Sequence, residues 1–123
     1  MNKILLVDDS AVLRGIMTRV LRESGLGGAT VLEAGDGREA LERLGEHPDV
    51  DVVLTDAEMP RMDGLELVEA IRSSARTARR SPSVFVVGGS AATRARAIEL
   101  GATGALPKPF AARHLGAFLA AAA

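Results

Sequence analysis

The chain contains no cysteine, tryptophan or tyrosine, and aromatic residues make up only 2% of its 123 positions. Without cysteine there are no disulfides, no thiolate nucleophile and no cysteine-type zinc site. With so few aromatics the core must be aliphatic, and the stacking platforms that bind single-stranded nucleic acid are missing. The two histidines, His47 and His114, stand far apart and in no metal-ligand spacing. A formal net charge of -1 supplies no bulk attraction to DNA or to an anionic membrane. No apolar run approaches the roughly 20 residues of a membrane span. Met1-Asn2-Lys3 leads directly into a strand-like segment, leaving no room for a secretory signal. The expectation is a cytoplasmic domain with no membrane contact and no direct contact with nucleic acid.

Lysine is scarce as well. Of 15 basic residues only two, Lys3 and Lys108, are lysines, and the rest are arginines. Lys108 stands between Pro107 and Pro109, which implies a need for a compact ammonium rather than a planar guanidinium fork. The cluster Arg72, Arg76, Arg79 and Arg80 reads as a solvated loop in an arginine-biased chain.

What is present is a regular alternation of short apolar runs and helix-period segments. Strands are expected at Lys3–Val7, Thr30–Ala34, about Asp51–Thr55, Val84–Val87 and Gly104–Leu106. Between them, Leu13, Ile16, Met17, Val20 and Leu21 share one helical face, ended by Gly25 and Gly27-Gly28. Ala40, Leu41 and Leu44 form a second such face, stopped at His47-Pro48. Leu65, Val68 and Ile71 form a third, with Asp63 as N-cap, and a fourth helix runs from about Ala92 to Leu100. A fifth carries Leu115, Phe118, Leu119 and Ala122. Five strand–helix units predict an α/β fold with a parallel sheet covered on both faces and a ligand site outside the carboxyl ends of the strands.

The chemistry-bearing residues fall at those ends. Asp8 and Asp9 follow the first strand, Asp56 the third, and Lys108 the fifth. Carboxylates held together repel one another and usually need a cation. The segments Leu5-Leu6-Val7-Asp8-Asp9-Ser10, Asp56-Ala57-Glu58-Met59-Pro60-Arg61-Met62-Asp63-Gly64 and Lys108-Pro109-Phe110, in this order and spacing, resemble the receiver domain of two-component response regulators, with the chemotaxis-type single-domain receivers as the nearest group. The resemblance covers residues 1–123 as one domain. It implies a flavodoxin-like, doubly wound sheet of five strands in the order 2-1-3-4-5 with five helices. It also implies a phosphoacceptor that takes a phosphoryl group from a histidine kinase or phosphotransfer protein onto Asp56. Such a domain catalyses only its own phosphorylation and dephosphorylation. The cofactor implied is Mg²⁺, held by Asp9, by Asp8 largely through water, by Asp56 and by the backbone carbonyl of Glu58, with Lys108 pairing to a phosphoryl oxygen. The Glu58 side chain would lie at the mouth of the site, and Pro109 would follow a cis bond. A downstream protein would dock on the fourth helix, fifth strand and fifth helix.

Two positions depart from the pattern. Receivers usually carry Ser or Thr at the end of the fourth strand, and here that position is Val87 or Gly88, with Ser90 nearby. The aromatic expected on the fifth strand is Ala105. Either the Gly88-Gly89 segment signals by becoming ordered, or the domain is a pseudo-receiver, an interaction or scaffold module whose conformation ignores phosphorylation.

Overall fold

The computed structural model describes residues 3–26, 28–74 and 81–108. Five strands, β1 (Lys3–Val7), β2 (Thr30–Ala34), β3 (Val52–Asp56), β4 (Ser83–Val87) and β5 (Gly104–Leu106), form one sheet in the order β2-β1-β3-β4-β5. Every pairing is parallel. The described helices are α1 (Ala11–Leu21), α2 (Gly37–Glu46), α3 (Gly64–Ser74) and α4 (Ala91–Glu99). The expected fifth helix, Pro109, Phe110 and Arg76, Arg79 and Arg80 lie outside the described residues.

The strands are apolar on both faces, as a sheet covered on both sides requires. One face carries Leu5, Val7, Val53, Val84 and Val86 against Ala40, Leu67, Val68, Ile71 and Ala97 of α2, α3 and α4. The other carries Ile4, Leu6, Val52, Leu54, Phe85, Val87 and Leu106 against Met17 and Leu21 of α1. Among the described residues Phe85 is the largest fully buried side chain, and the rest of the described core is aliphatic apart from Met17.

Short polar side chains set where helices begin. Ser10, Asp36 and Ser90 each accept a hydrogen bond from the backbone N–H three residues on, at Leu13, Glu39 and Thr93, capping α1, α2 and α4. Asp63 accepts from the Glu66 N–H at 2.9 Å and the Glu66 side chain takes the Asp63 N–H, a reciprocal box at the start of α3.

Four expectations need correction. The third strand runs one residue further, to Asp56, because Asp56 pairs with Val87 of β4. Strand β4 and helix α4 each begin one residue early, at Ser83 and Ala91, the latter because Ser90 is the cap. The inner face of α1 is narrower than its apolar periodicity implies. Met17 and Leu21 are buried, but Leu13 and Ile16 are 37% and 53% exposed. The buried residues of α1, Met17 and Leu21, lie in its second half.

Candidate functional site

Parallel register brings the strand ends to one level. Val7 pairs with both Ala34 and Thr55, Asp56 with Val87, and Val87 with Leu106. Asp8, Asp56, Gly88 and Lys108 therefore leave the sheet side by side. The structure gathers Asp8, Asp9 and Asp56, each offering a carboxylate oxygen within 4.8 Å of the others. The Lys108 ammonium lies 3.3 Å from Asp56 Oδ1 and 3.5 Å from Asp8 Oδ2. Residues 100 positions apart in the chain thus close the same pocket.

The three acids are in different settings. Asp8 is buried, with its side chain 1% exposed. Its Oδ1 accepts the Ser10 N–H at 2.9 Å. Its carboxyl pKa is raised: burial disfavours the charge more strongly than the Ser10 N–H and Lys108 favour it, and Asp56 adds repulsion. Asp56 is half-buried and Asp9 exposed, so the acids form a graded funnel from solvent to core. A hard divalent cation with oxygen ligands suits this donor set, because it would neutralise the crowding that one ammonium leaves uncompensated. The Glu58 side chain is exposed at the rim, with its N–H 3.4 Å from Asp56 Oδ1.

The loop after Asp56 is shaped by close backbone packing. A Cβ at Gly64 would lie 2.4 Å from the Asp56 carbonyl oxygen, so the first residue of α3 has to be glycine for the helix to pack this closely on the end of β3. The Gly64 N–H donates to the Ala57 carbonyl at 3.0 Å, and the Ala57 N–H to the Val87 carbonyl at 2.9 Å.

Val87 and Gly88, at the end of the fourth strand, face different ways. Val87 is fully buried in the α1-side core. Gly88 faces the pocket: a Cβ there would meet Lys108 Cδ at 3.4 Å and Asp56 Oδ1 at 3.5 Å. Gly88 and Gly89 both have positive φ, 89° and 76°, which glycine adopts freely. The segment is well tied. The Gly88 N–H donates to the Leu106 carbonyl at 2.8 Å and Arg94 Nη1 to the Gly89 carbonyl at 2.6 Å. Ser90 does not take the place of the missing hydroxyl in this structure. Its Oγ caps α4 and lies 3.0 Å from the Thr93 hydroxyl. Ala105 is half-buried on β5, paired with Val86.

Sequence reasoning missed two arginines, one bracing the turn of the acid pair and one on the loop after Asp56. Arg14 donates to the Asp8 carbonyl at 2.5 Å and to Glu33 at 2.9 Å, bracing the turn that carries the acid pair. Its position on the first turn of the helix after Asp8-Asp9 was the available signal. Arg61 pairs with the buried Asp36, and nothing local in the sequence marks that contact across 25 residues.

Fold and pocket together define a class. Residues 4–120 match the model of the response regulator receiver domain, and the chain belongs to that family. It is 39% identical over 108 residues to the chemotaxis protein CheY1 of Helicobacter pylori, covering 88% of this chain and 86% of that protein. It is 37% identical to the transcriptional regulatory protein CpxR of Escherichia coli, where the match covers 94% of this chain but 46% of the longer protein. Among solved structures, the Vibrio cholerae chemotaxis protein CheY4 superposes with a TM-score of 0.82 at 31% identity, covering 100% of this chain and 99% of that one. This is a chemotaxis-type receiver of a two-component system. Among the described residues no helix is long and apolar enough to cross a membrane.

Proposed function

We propose that this receiver is a phosphoacceptor, that Asp56 carries the phosphoryl group, and that the modified form alters binding of a downstream protein. The observation that carries the reading is the Lys108 ammonium held between Asp56 and Asp8 beside the three-carboxylate cluster.

The step follows from these residues. An Asp56 carboxylate oxygen attacks the phosphorus of a phosphohistidine in line. A P–O bond forms, the P–N bond breaks, and the electron pair stays with the imidazole nitrogen, which takes a proton from solvent. Lys108 pairs with a phosphoryl oxygen as charge arrives. Asp8, Asp9, Asp56 and the Glu58 carbonyl would hold Mg²⁺, which when bound neutralises the equatorial oxygens of the transferring group. The donor is a histidine kinase or phosphotransfer protein in the cytoplasm, and residues 1–123 act as one domain. The surface of α4 and β5 would receive the downstream partner.

Incubation with Mg²⁺ and acetyl phosphate tests this. One phosphoryl mass is expected on the wild type and none on Asp56→Asn by intact mass spectrometry. An unmodified wild type counts against the reading.

One observation favours a second reading. Gly88 presents no hydroxyl and Ala105 no aromatic ring, so the side-chain relay from pocket to partner face is absent. A pseudo-receiver would take the label without changing its partner affinity or the amide exchange of residues 86–96. A change in either supports the signalling reading.

A further inference from the structure

The loop between β3 and α3, residues 57–63, carries Glu58, and its path decides where the Glu58 carbonyl sits. At its tip Arg61 has φ 67°, making it the one non-glycine residue with positive φ among the described residues. Arginine gains nothing intrinsic from that region. A side-chain tie holds it there. The Arg61 guanidinium pairs with Asp36, whose side chain is 4% exposed although that of Arg61 is 69% exposed. The Asp36 carboxylate serves two elements at once: Oδ1 accepts the Glu39 N–H at 2.9 Å and caps α2, and Oδ2 takes Arg61. Beside this tie, the Met62 side chain lies against Gly37 so closely that a Cβ on Gly37 would be 2.6 Å from Met62 Cγ. The β2–α2 corner also touches the pocket directly, because the Asp8 N–H donates to the Ala34 carbonyl at 3.1 Å. The corner that supports Asp8 is therefore the corner that tethers the loop bearing Glu58.

We infer that Asp36 and Arg61 are positioning residues, an ion-paired tie that fixes the 57–63 loop against the start of α2 and thereby presets the site for Mg²⁺. This rests on the reading of Asp8, Asp9, Asp56 and the Glu58 carbonyl as the cation's ligands. A flexible exposed arginine in an unfavourable backbone conformation makes sense if its head group is anchored. With the anchor gone, the loop relaxes toward ordinary φ and the carbonyl leaves its place. Partners of this kind that orient metal ligands without touching the metal commonly change affinity by one order of magnitude or more.

The test compares wild type with Arg61→Ala, Arg61→Gly, Arg61→Lys, Asp36→Asn and Arg61→Ala/Asp36→Asn. Mg²⁺ binding to the unphosphorylated proteins is measured by calorimetry, and acetyl phosphate labelling is followed across Mg²⁺ concentrations. The Mg²⁺ dissociation constant is expected to rise about ten-fold in Arg61→Ala and Asp36→Asn. The labelling rate at saturating Mg²⁺ should stay within about two-fold of wild type, a split between affinity and rate that a general loss of structure would not produce. Arg61→Lys should recover most of the affinity. The double variant should be no worse than either single, because both break one contact. Arg61→Gly also loses the tie but keeps a backbone at ease with positive φ, so its loss of affinity should be smaller than that of Arg61→Ala. Wild-type Mg²⁺ affinity in Arg61→Ala and Arg61→Gly, in a protein whose wild type binds Mg²⁺ and is labelled, overturns the tie and leaves the phosphoacceptor reading standing. A wild type that neither binds Mg²⁺ nor takes the label overturns both.

Discussion

The acid pocket and the β4–α4 loop share the carboxyl edge of the sheet and meet at Gly88, within 3.5 Å of Asp56 Oδ1 and 3.4 Å of Lys108 Cδ when a Cβ is placed there. The pocket is made of side chains: three carboxylates and an ammonium drawn from three strand ends. The loop is made of backbone: two glycines with positive φ, carbonyls held by Arg94 and an N–H held by Leu106. Chemistry that stabilises moving charge needs fixed charged groups, and here those groups are complete. Relaying that event to a surface needs an element with two arrangements. A backbone-only loop can supply that by exchanging hydrogen bonds, without a side chain that rotates. The pocket would perform the proposed phosphoryl transfer, and the loop would report it.

Removing the ammonium is the severest way to break the pocket side of the comparison. Lys108→Ala should cut the rate of Asp56 labelling about a hundred-fold, the scale of losing one preorganised charge partner. The same variant should melt at a lower temperature than wild type in metal-free buffer, since Asp8 and Asp56 lose their shared counter-charge. Mg²⁺ should restore part of that difference by binding the folded state.

Asp8→Asn should act in the opposite direction on stability. Burial raises the Asp8 carboxyl pKa, so keeping it ionised at neutral pH costs folding free energy. A neutral side chain of the same shape keeps the acceptor for the Ser10 N–H and should stabilise the metal-free protein by about 1 kcal/mol. It should also remove most of the stabilisation that Mg²⁺ gives the wild type. Thermal melts in chelator and in Mg²⁺ measure both. A lower melting temperature for Asp8→Asn in chelator would show that the pocket is not a strained cluster awaiting a cation.

Ser90→Ala sharpens the loop side. Losing the cap of α4 should cost about 1 kcal/mol. The rate of labelling and the lifetime of the label should stay unchanged, because the Ser90 hydroxyl is engaged with Thr93. A label whose lifetime shifts markedly in Ser90→Ala would mean that the hydroxyl reaches the phosphoryl group after modification and that the two regions are one.

The pocket was legible in the sequence and the loop was not, for a physical reason. Parallel α/β topology converts "acid after an apolar run" into "acid at the carboxyl edge", so Asp8, Asp9, Asp56 and Lys108 could be placed without coordinates. Glycines carry no such mark. Whether Val87 or Gly88 faced Asp56 depended on a one-residue register that only the Asp56–Val87 pairing fixes. Periodicity places Leu13 and Ile16 on the apolar face of α1 but cannot tell how far along the helix that face is covered, and these two are 37% and 53% exposed. Arg61 and Asp36 left no trace, because an ion pair between two loops obeys no period.

That ion pair also yields the smallest effect and the cleanest sign. The Asp36 pKa is lowered, first by the Glu39 N–H and also by the Arg61 guanidinium, from an ordinary value of 3.8. A carboxyl whose folded pKa is depressed adds stability that is present in full above its unfolded value and is lost as pH falls through the folded one. Asp36→Asn keeps an acceptor for the Glu39 N–H and deletes only the charge. Wild type should therefore exceed Asp36→Asn by roughly half a kcal/mol at pH 7, since Arg61 is largely exposed to solvent. The gap should close as pH drops below about 4 and narrow in high salt at neutral pH. Denaturant melts at several pH values read it directly. A gap that persists unchanged at the acid end would show that the charge of Asp36 is not its source. The pairing with Arg61 would then contribute nothing to folding, and a role at the pocket edge would be the remaining reason for its backbone geometry.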